Sequence, residues 1–363
     1  MPRLRMAVIG VGHLGKEHAR ILAGLPEANL VGVADVNAEQ AESVARRLGT
    51  AAYADHRLLL ARVDAAVIAV PTCQHHAVAL DFLRERIPLL VEKPLALNLT
   101  QADELVDVAQ SKRTVLQVGH IERFNPALMD LASRRLQPKL ILSERLGPFT
   151  GRSTDIGVVL DLMIHDLDVM LALVQAPVQT VQAVGITVFG RLEDIAHARL
   201  VFANGCLGTV TANRASQKAH RRMQVWGPEG YADLDFAARQ LTLIQPGEHI
   251  RQGGLDPSRL DPASRALLKD ELFSRHLQVL DLAPRGGDAL TAELKHFIHC
   301  VTTGEKPKVS GDEGRNAIAL ATRIVESMQI HSWQAPSAEA LPSTDWPGSI
   351  GQLFSPQETK FAA

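Results

Sequence analysis

A six-residue turn, Gly10-Val11-Gly12-His13-Leu14-Gly15, stands between a β-branched apolar run, LRMAVIG, and an amphipathic segment, HLGKEHARILAGL. A G-x-G-x-x-G turn between a strand and a helix narrows the possible folds sharply, because each glycine has a separate job. Gly10 permits the tight turn, Gly12 lets a pyrophosphate approach the backbone, and Gly15 allows close helix-to-strand packing. The helix N-terminus adds free N–H groups and the positive end of its dipole, and His13 and Leu14 lie within the same candidate dinucleotide contact.

Asp35 ends the second apolar run 20 residues after Gly15, where a carboxylate accepts hydrogen bonds from the adenosine ribose hydroxyls. Its charge would repel a 2′-phosphate, and Val36, Asn37 and Ala38 supply no cation to offset it, so NAD is expected rather than NADP. From Leu4 to Ile121 short apolar runs alternate with helical patterns, as in βαβ units around a parallel sheet; Asn37 and Thr100 are read as helix caps. The third main run ends at Val70-Pro71-Thr72, at the sheet edge where ligands of open α/β folds sit, so Pro71, Thr72 and the following His75 are candidate cofactor contacts. No Asp, Glu or Cys lies at helical ligand spacing from both His75 and His76, and no metal site is expected. Glu92-Lys93-Pro94 closes the fourth run, and Glu92 and Lys93 are further candidate cofactor contacts. That placement puts an ammonium at the edge of the glycine turn, where burial and a neighbouring nicotinamide cation would both favour its neutral, basic form.

After Ile121 the rhythm changes. One helical pattern at about 158–174 precedes period-two runs such as VQTVQAVGITVFG and IAHARLVFA, the signature of an open antiparallel sheet with one buried face, and GPEG at 227–230 reads as a hairpin turn. Two helical patterns then end near Ile330. The expected organisation is a doubly wound parallel α/β domain over 1–121, an α+β domain over 122–330, and a tail over 331–363 with Pro336, Pro342, Pro347 and Pro356. A formal charge of -2 argues against nucleic acid, and three scattered cysteines fit a reducing compartment better than a disulfide framework. With no signal-peptide pattern and no run of about 18 apolar residues, the expectation is a cytoplasmic protein with no membrane span.

Within the helical pattern of the second half, Asp161 and His165 are spaced i, i+4, and burying both among Leu, Val and Met costs several kcal/mol unless they are paired or used. The combination of the glycine turn, Glu92-Lys93-Pro94, and D-x-x-x-H-x-x-D at Asp161, His165 and Asp168 resembles the glucose-fructose oxidoreductase, inositol dehydrogenase and MocA (Gfo/Idh/MocA) family. AELKHFIHCVTTGEKPKVSGDEGRNAIALA is similar to that family's closing helix and link. The resemblance implies a Rossmann domain, a second α+β domain whose open sheet supports substrate and subunit contacts, and NAD as cofactor. It further implies proton transfer by Lys93 and His165, with Asp161 orienting a sugar. Met163 and Thr72 depart from the family pattern at positions that shape the pocket.

The stretches GHIERFNP at 119–126 and Ser143-Glu144-Arg145 to Gly151-Arg152-Ser153 resemble members that oxidise nucleotide-linked amino sugars, particularly UDP-N-acetylglucosamine 3-dehydrogenases. For such a substrate Arg123, Arg145 and Arg152 are candidate diphosphate clamps, with Asn125, Asp161 and His165 as further substrate contacts. The expected activity is oxidation of a secondary sugar hydroxyl, C3 of UDP-N-acetylglucosamine, to a keto sugar. The alternatives are a free inositol or other sugar as substrate, and a non-catalytic dinucleotide sensor. An open sheet face leads to the expectation of a homodimer or homotetramer.

Overall fold

The computed structural model describes residues 3–134, 136–151, 155–189, 192–253, 255–282, 286–330 and 350–352. The chain forms two compact units, one of Met1–Phe124 with Gly287–Thr322, the other of Asn125–Gly286 with Arg323–Ala363.

The first unit is built on β1 (Leu4–Ile9), α1 (Gly15–Gly24), β2 (Ala28–Ala34), α2 (Ala38–Leu48), β3 (Ala51–Tyr53), β4 (Ala65–Ile68), α3 (Thr72–Arg84), β5 (Leu89–Glu92), α4 (Leu99–Lys112) and β6 (Leu116–Gly119). The strands form a parallel sheet in the order β3-β2-β1-β4-β5-β6, the doubly wound arrangement expected from the alternating pattern. Strands buried on both faces explain the unbroken apolar runs: AAVI in β4 and LLVE in β5 are buried throughout. Asn37 caps α2 by accepting from Gln40 N, as expected. The cap of α4 is Asn98, which accepts from Gln101 N; Thr100 lies inside the helix, because Asn98 reaches the third helical N–H while keeping extended backbone.

The second unit contains α5 (Pro126–Ser133), β7 (Leu140–Leu146), α6 (Ile164–Val174), β8 (Val178–Thr187), β9 (Ile195–Phe202), β10 (Leu207–Asn213), β11 (His220–Gly227), β12 (Gly230–Asp235), β13 (Gln240–Pro246), the short helix α7 (Glu248–Arg251), α8 (Pro262–Glu271) and β14 (Leu277–Leu282). Its mainly antiparallel sheet runs β14-β13-β12-β11-β7-β10-β9-β8, with Ile350–Gln352 paired beside β8. The GPEG turn joins β11 to β12 with Gly227 opposite Gly230. Strand β10 alternates half-buried and buried residues, with α6 packed on that sheet.

Two further helices follow, α9 (Ala289–Thr303) and α10 (Gly311–Ile330). The division into units therefore does not follow the linear boundaries 122 and 330. Leu290, Leu294, Phe297 and Ile298, at helical spacing on α9, are buried in one cluster with Val8, Ala19 and Leu22 of β1 and α1. Arg315 on α10 pairs with Asp103 of α4 at 2.7 Å, and the unit boundary falls at Thr322 within α10. Apart from 350–352, the proline-rich segment 331–363 lies outside the described residues. No helix among the described residues is long and apolar enough to cross a membrane.

Candidate active site

The turn between β1 and α1 has the shape its glycines imply. A Cβ on Gly10, at φ 83°, would sit 2.7 Å from the Ala69 carbonyl oxygen, and one on Gly15 would overlap the Gly10 carbonyl, so neither position admits a side chain. A Cβ on Gly12 would meet nothing within 4 Å, which leaves the backbone open where a pyrophosphate approaches. Gly12, His13 and Leu14 are exposed, Leu14 at 43% despite being apolar. Asp35, at the end of β2, accepts from Val11 N at 2.8 Å, Asn37 N at 2.9 Å and Gln40 Nε2 at 3.3 Å. A carboxylate offers about four lone-pair sites, so this half-buried group retains capacity toward a ribose hydroxyl. A cavity of about 580 Å³ opens beside it, lined by Gly12, His13, Asn37 and Gln40 and also by Lys16 and Arg47. The open backbone and the acceptor at Asp35 fit a bound dinucleotide.

Parallel register brings the ends of β1, β2, β4, β5 and β6 to one edge, so Lys93, which follows β5, shares that edge with the glycine turn. Pro71 and Thr72 begin α3 at the same edge, exposed and half-buried respectively. Two residues expected to touch cofactor take other roles. His75 is buried, its Nδ1 2.8 Å from Pro94 O and its Nε2 2.9 Å from Val70 O, and so ties α3 to the loop after Lys93. A neutral ring donates to only one of these carbonyls. Burial nonetheless outweighs both and pushes the imidazole below its ordinary range. Glu92 turns its carboxylate into the unit, where His18 Nε2 donates to Oε1 at 2.7 Å and Lys93 N donates to Oε2 at 3.3 Å. Burial raises the Glu92 carboxyl most, but His18 and Lys93 together win and hold it below the usual range. Glu92 is the last, buried residue of β5, and its carboxylate is taken up inside the unit.

In the second unit Asp161 lies on a π-helical turn, Val159–Met163, that runs directly into α6, where His165 is the second residue. Such turns are frequent at functional sites. Asp161 and His165 are half-buried, whereas Asp166 and Asp168 are buried. The turn is held at its start by Glu193: Val159 N donates to its Oε1 at 3.2 Å, and a Cβ on Gly157 would overlap that carboxyl. Burial pushes the Glu193 carboxyl up. Arg214, paired to Asp194 at 2.7 Å, donates to Ile156 O and secures the preceding residue.

The expected diphosphate clamp divides. Arg145 is buried and donates to Asp166 through Nε at 2.8 Å and Nη2 at 3.1 Å, over the Phe236 ring, so this guanidinium serves the fold of the second unit rather than an open clamp. Asn125, also expected at the substrate, caps α5 through Ala127 N and donates to Phe236 O at 3.0 Å. Arg123 is half-buried in the first unit, Nη2 donating to Lys308 O at 3.4 Å. Arg152 lies outside the described residues. Sequence reasoning missed His18 and Glu193, which bond to residues 74 and 34 positions away, and Glu293, buried on α9. Only their burial cost marked them.

The family model described as "Oxidoreductase family, NAD-binding Rossmann fold" matches residues 4–120, and the GFO/IDH/MocA C-terminal domain model matches 131–233. A UDP-N-acetylglucosamine 3-dehydrogenase of Acidithiobacillus ferrooxidans is 37% identical over 325 residues, covering 89% of this chain and 97% of that protein. A crystal form of that enzyme superposes with a TM-score of 0.80 over 90% of this chain and 98% of the other, at 34% identity. A myo-inositol 2-dehydrogenase of Thermotoga maritima is 26% identical over 90% of this chain and 96% of its own length. A levoglucosan dehydrogenase bound to NADH shares the fold, with a TM-score of 0.76 at 20% identity.

Proposed function

We infer the function from a premise and a geometry: the chain belongs to the Gfo/Idh/MocA family of oxidoreductases with an NAD-binding Rossmann domain, and its lysine stands at the dinucleotide edge. We propose that it oxidises a secondary hydroxyl of a sugar, C3 of UDP-N-acetylglucosamine, to the keto sugar. The carrying observation is the position of Lys93. It follows a strand two places from the glycine turn, about 10 Å along the sheet edge and within the span of a bound dinucleotide. Identity to the Acidithiobacillus enzyme over nearly all of that protein's length supports the nucleotide-sugar substrate over a free inositol.

In this reading the turn at Gly10–Gly15 and Asp35 would hold NAD, which when bound supplies the hydride acceptor. Lys93 and His165 take up the hydroxyl proton, Asp161 orients the sugar, and Arg123 faces the diphosphate. Fixed placement of the carbinol against these groups supplies the rate enhancement. The partner is a second copy of the chain in a homodimer or homotetramer. The test is NADH absorbance with a panel of UDP-sugars, inositols and free sugars, run on wild type and Lys93→Met. Turnover with UDP-N-acetylglucosamine, lowered about 10²–10⁴-fold in the variant with NAD binding retained, is expected. Undiminished turnover in the variant overturns the assignment of Lys93.

A further inference from the structure

A lysine carries its ammonium on a flexible stem, so the amine is placed only as well as the backbone beneath it. At Lys93 that backbone is held on both sides. Before the lysine, the Glu92 carboxylate accepts from His18 Nε2 at 2.7 Å and from Lys93 N at 3.3 Å. After it, Pro94, Leu95 and Ala96 are buried, and the Pro94 carbonyl lies 2.8 Å from His75 Nδ1. The same imidazole sets Nε2 2.9 Å from the carbonyl of Val70, five residues earlier. Val70 lies against the glycine turn: a Cβ on Gly10 would sit 2.7 Å from Val70 N, and the neighbouring Ala69 N donates to Ile9 O at 2.7 Å. One side chain, 1% exposed, therefore touches main chain packed on the dinucleotide turn and main chain next to the proposed base.

We propose that His75 is a positioning residue for Lys93, its Nδ1–H donating to the Pro94 carbonyl and fixing the lysine's offset from the dinucleotide turn. The proposal rests on the reading of Lys93 as proton acceptor. A neutral imidazole has one N–H and one acceptor nitrogen, so it serves only one of the two carbonyls. The contact with Pro94 is buried, whereas the contact with Val70 is half-exposed. An acceptor left unserved in the interior is costlier than one that water can reach, which assigns the proton to Nδ1. Burial disfavours the imidazolium that would serve both. The cofactor side of the link needs no second hydrogen bond. His75 stands in the first turn of α3, and the chain itself joins that turn to Val70 through Pro71. The hydrogen bond then supplies the lysine side, across 19 residues. Burying an imidazole costs free energy that an apolar residue would not, and a bond that holds a reacting group in register is a return packing alone cannot give.

The test measures kcat and KM with UDP-N-acetylglucosamine, and NAD affinity by fluorescence, for His75→Leu, His75→Asn, His75→Gln, Lys93→Met and the double variant H75L/K93M. H75L is expected to lower kcat by about 10- to 100-fold, with NAD affinity within about threefold of wild type. Asparagine places an amide where Nδ1 stands and glutamine reaches to the place of Nε2. H75N should therefore recover more of kcat than H75Q. Because His75 acts through Lys93, adding H75L to K93M should lower turnover no further, whereas independent roles would multiply. Nitrogen-15 resonances of the His75 ring should show a neutral imidazole protonated at Nδ1. Multiplied losses in the double variant, H75Q recovering as much as H75N, or the ring proton on Nε2 overturn the proposal. Should H75L fail to fold, the comparison of H75N with H75Q decides. Wild-type turnover in K93M would instead sink the functional reading beneath it.

Discussion

Replacing Arg145 by methionine separates a structural cation from a substrate clamp. The guanidinium meets Asp166 through two hydrogen bonds, 2.8 and 3.1 Å, with side-chain exposures of 4% and 1%. Methionine keeps the stem and removes the charge, leaving Asp166 buried without its cation. Breaking a buried pair from one side costs about 3–5 kcal/mol, far more than an exposed pair contributes, because the surviving charge cannot recover its hydration. In a unit of this size each kcal/mol moves Tm by about 2–4 °C, so a fall of about 6–20 °C is expected. Calorimetry on R145M and on R145M/D166N checks it, the double variant regaining part of the loss once the stranded charge is gone. A Tm within about 2 °C of wild type, together with a sugar-nucleotide KM raised about tenfold, would refute the argument and return Arg145 to the diphosphate.

Further outcomes follow from the same geometry. Gly12→Ala should leave Tm almost unchanged, since its Cβ meets nothing, yet weaken NAD binding in a fluorescence titration. Gly10→Ala should destabilise by about 1–3 kcal/mol from the clash with Ala69 O and the left-handed backbone. Gly157→Ala should displace the Glu193 carboxyl from the start of the π-turn and lower kcat through Asp161 and His165, read as a kcat loss larger than the change in NAD affinity. For Glu293 the folded carboxyl is raised above its unfolded value, so its contribution is fully present below the unfolded pKa and is lost as pH rises toward the folded one. As pH rises above the unfolded carboxyl's range, the stability of wild type relative to E293Q should therefore fall, measured by denaturant titration; parallel curves would refute the burial of an acid there.

The parallel sheet, the glycine turn, Asp35 and the lysine at a strand end were legible because each is a local matter: a period, a spacing, or a residue placed one step after an apolar run. The Asn37 cap was legible for the same reason, while Thr100 was misread because Asn98, two residues earlier, competes for the same N–H groups. The roles of His75, Glu92, Asn125 and Arg145 were not legible. All four are polar letters in motifs suggestive of ligand contact, and nothing local says whether a strand's alternation or a helix's rotation turns a side chain to the cleft or to the interior.

Order of residue types along the chain decided the backbone fold and the cofactor class, because secondary structure and phosphate cradles answer to nearest-neighbour sterics and periodicity. Tertiary structure alone decided which charges are buried. Pairing across 21 residues for Arg145 with Asp166 and across 74 for His18 with Glu92, and the lodging of Glu293 in the core of a unit that begins at the other end of the chain, follow from burial. The free energy of a buried charge depends on what surrounds it in space, which no stretch of sequence contains.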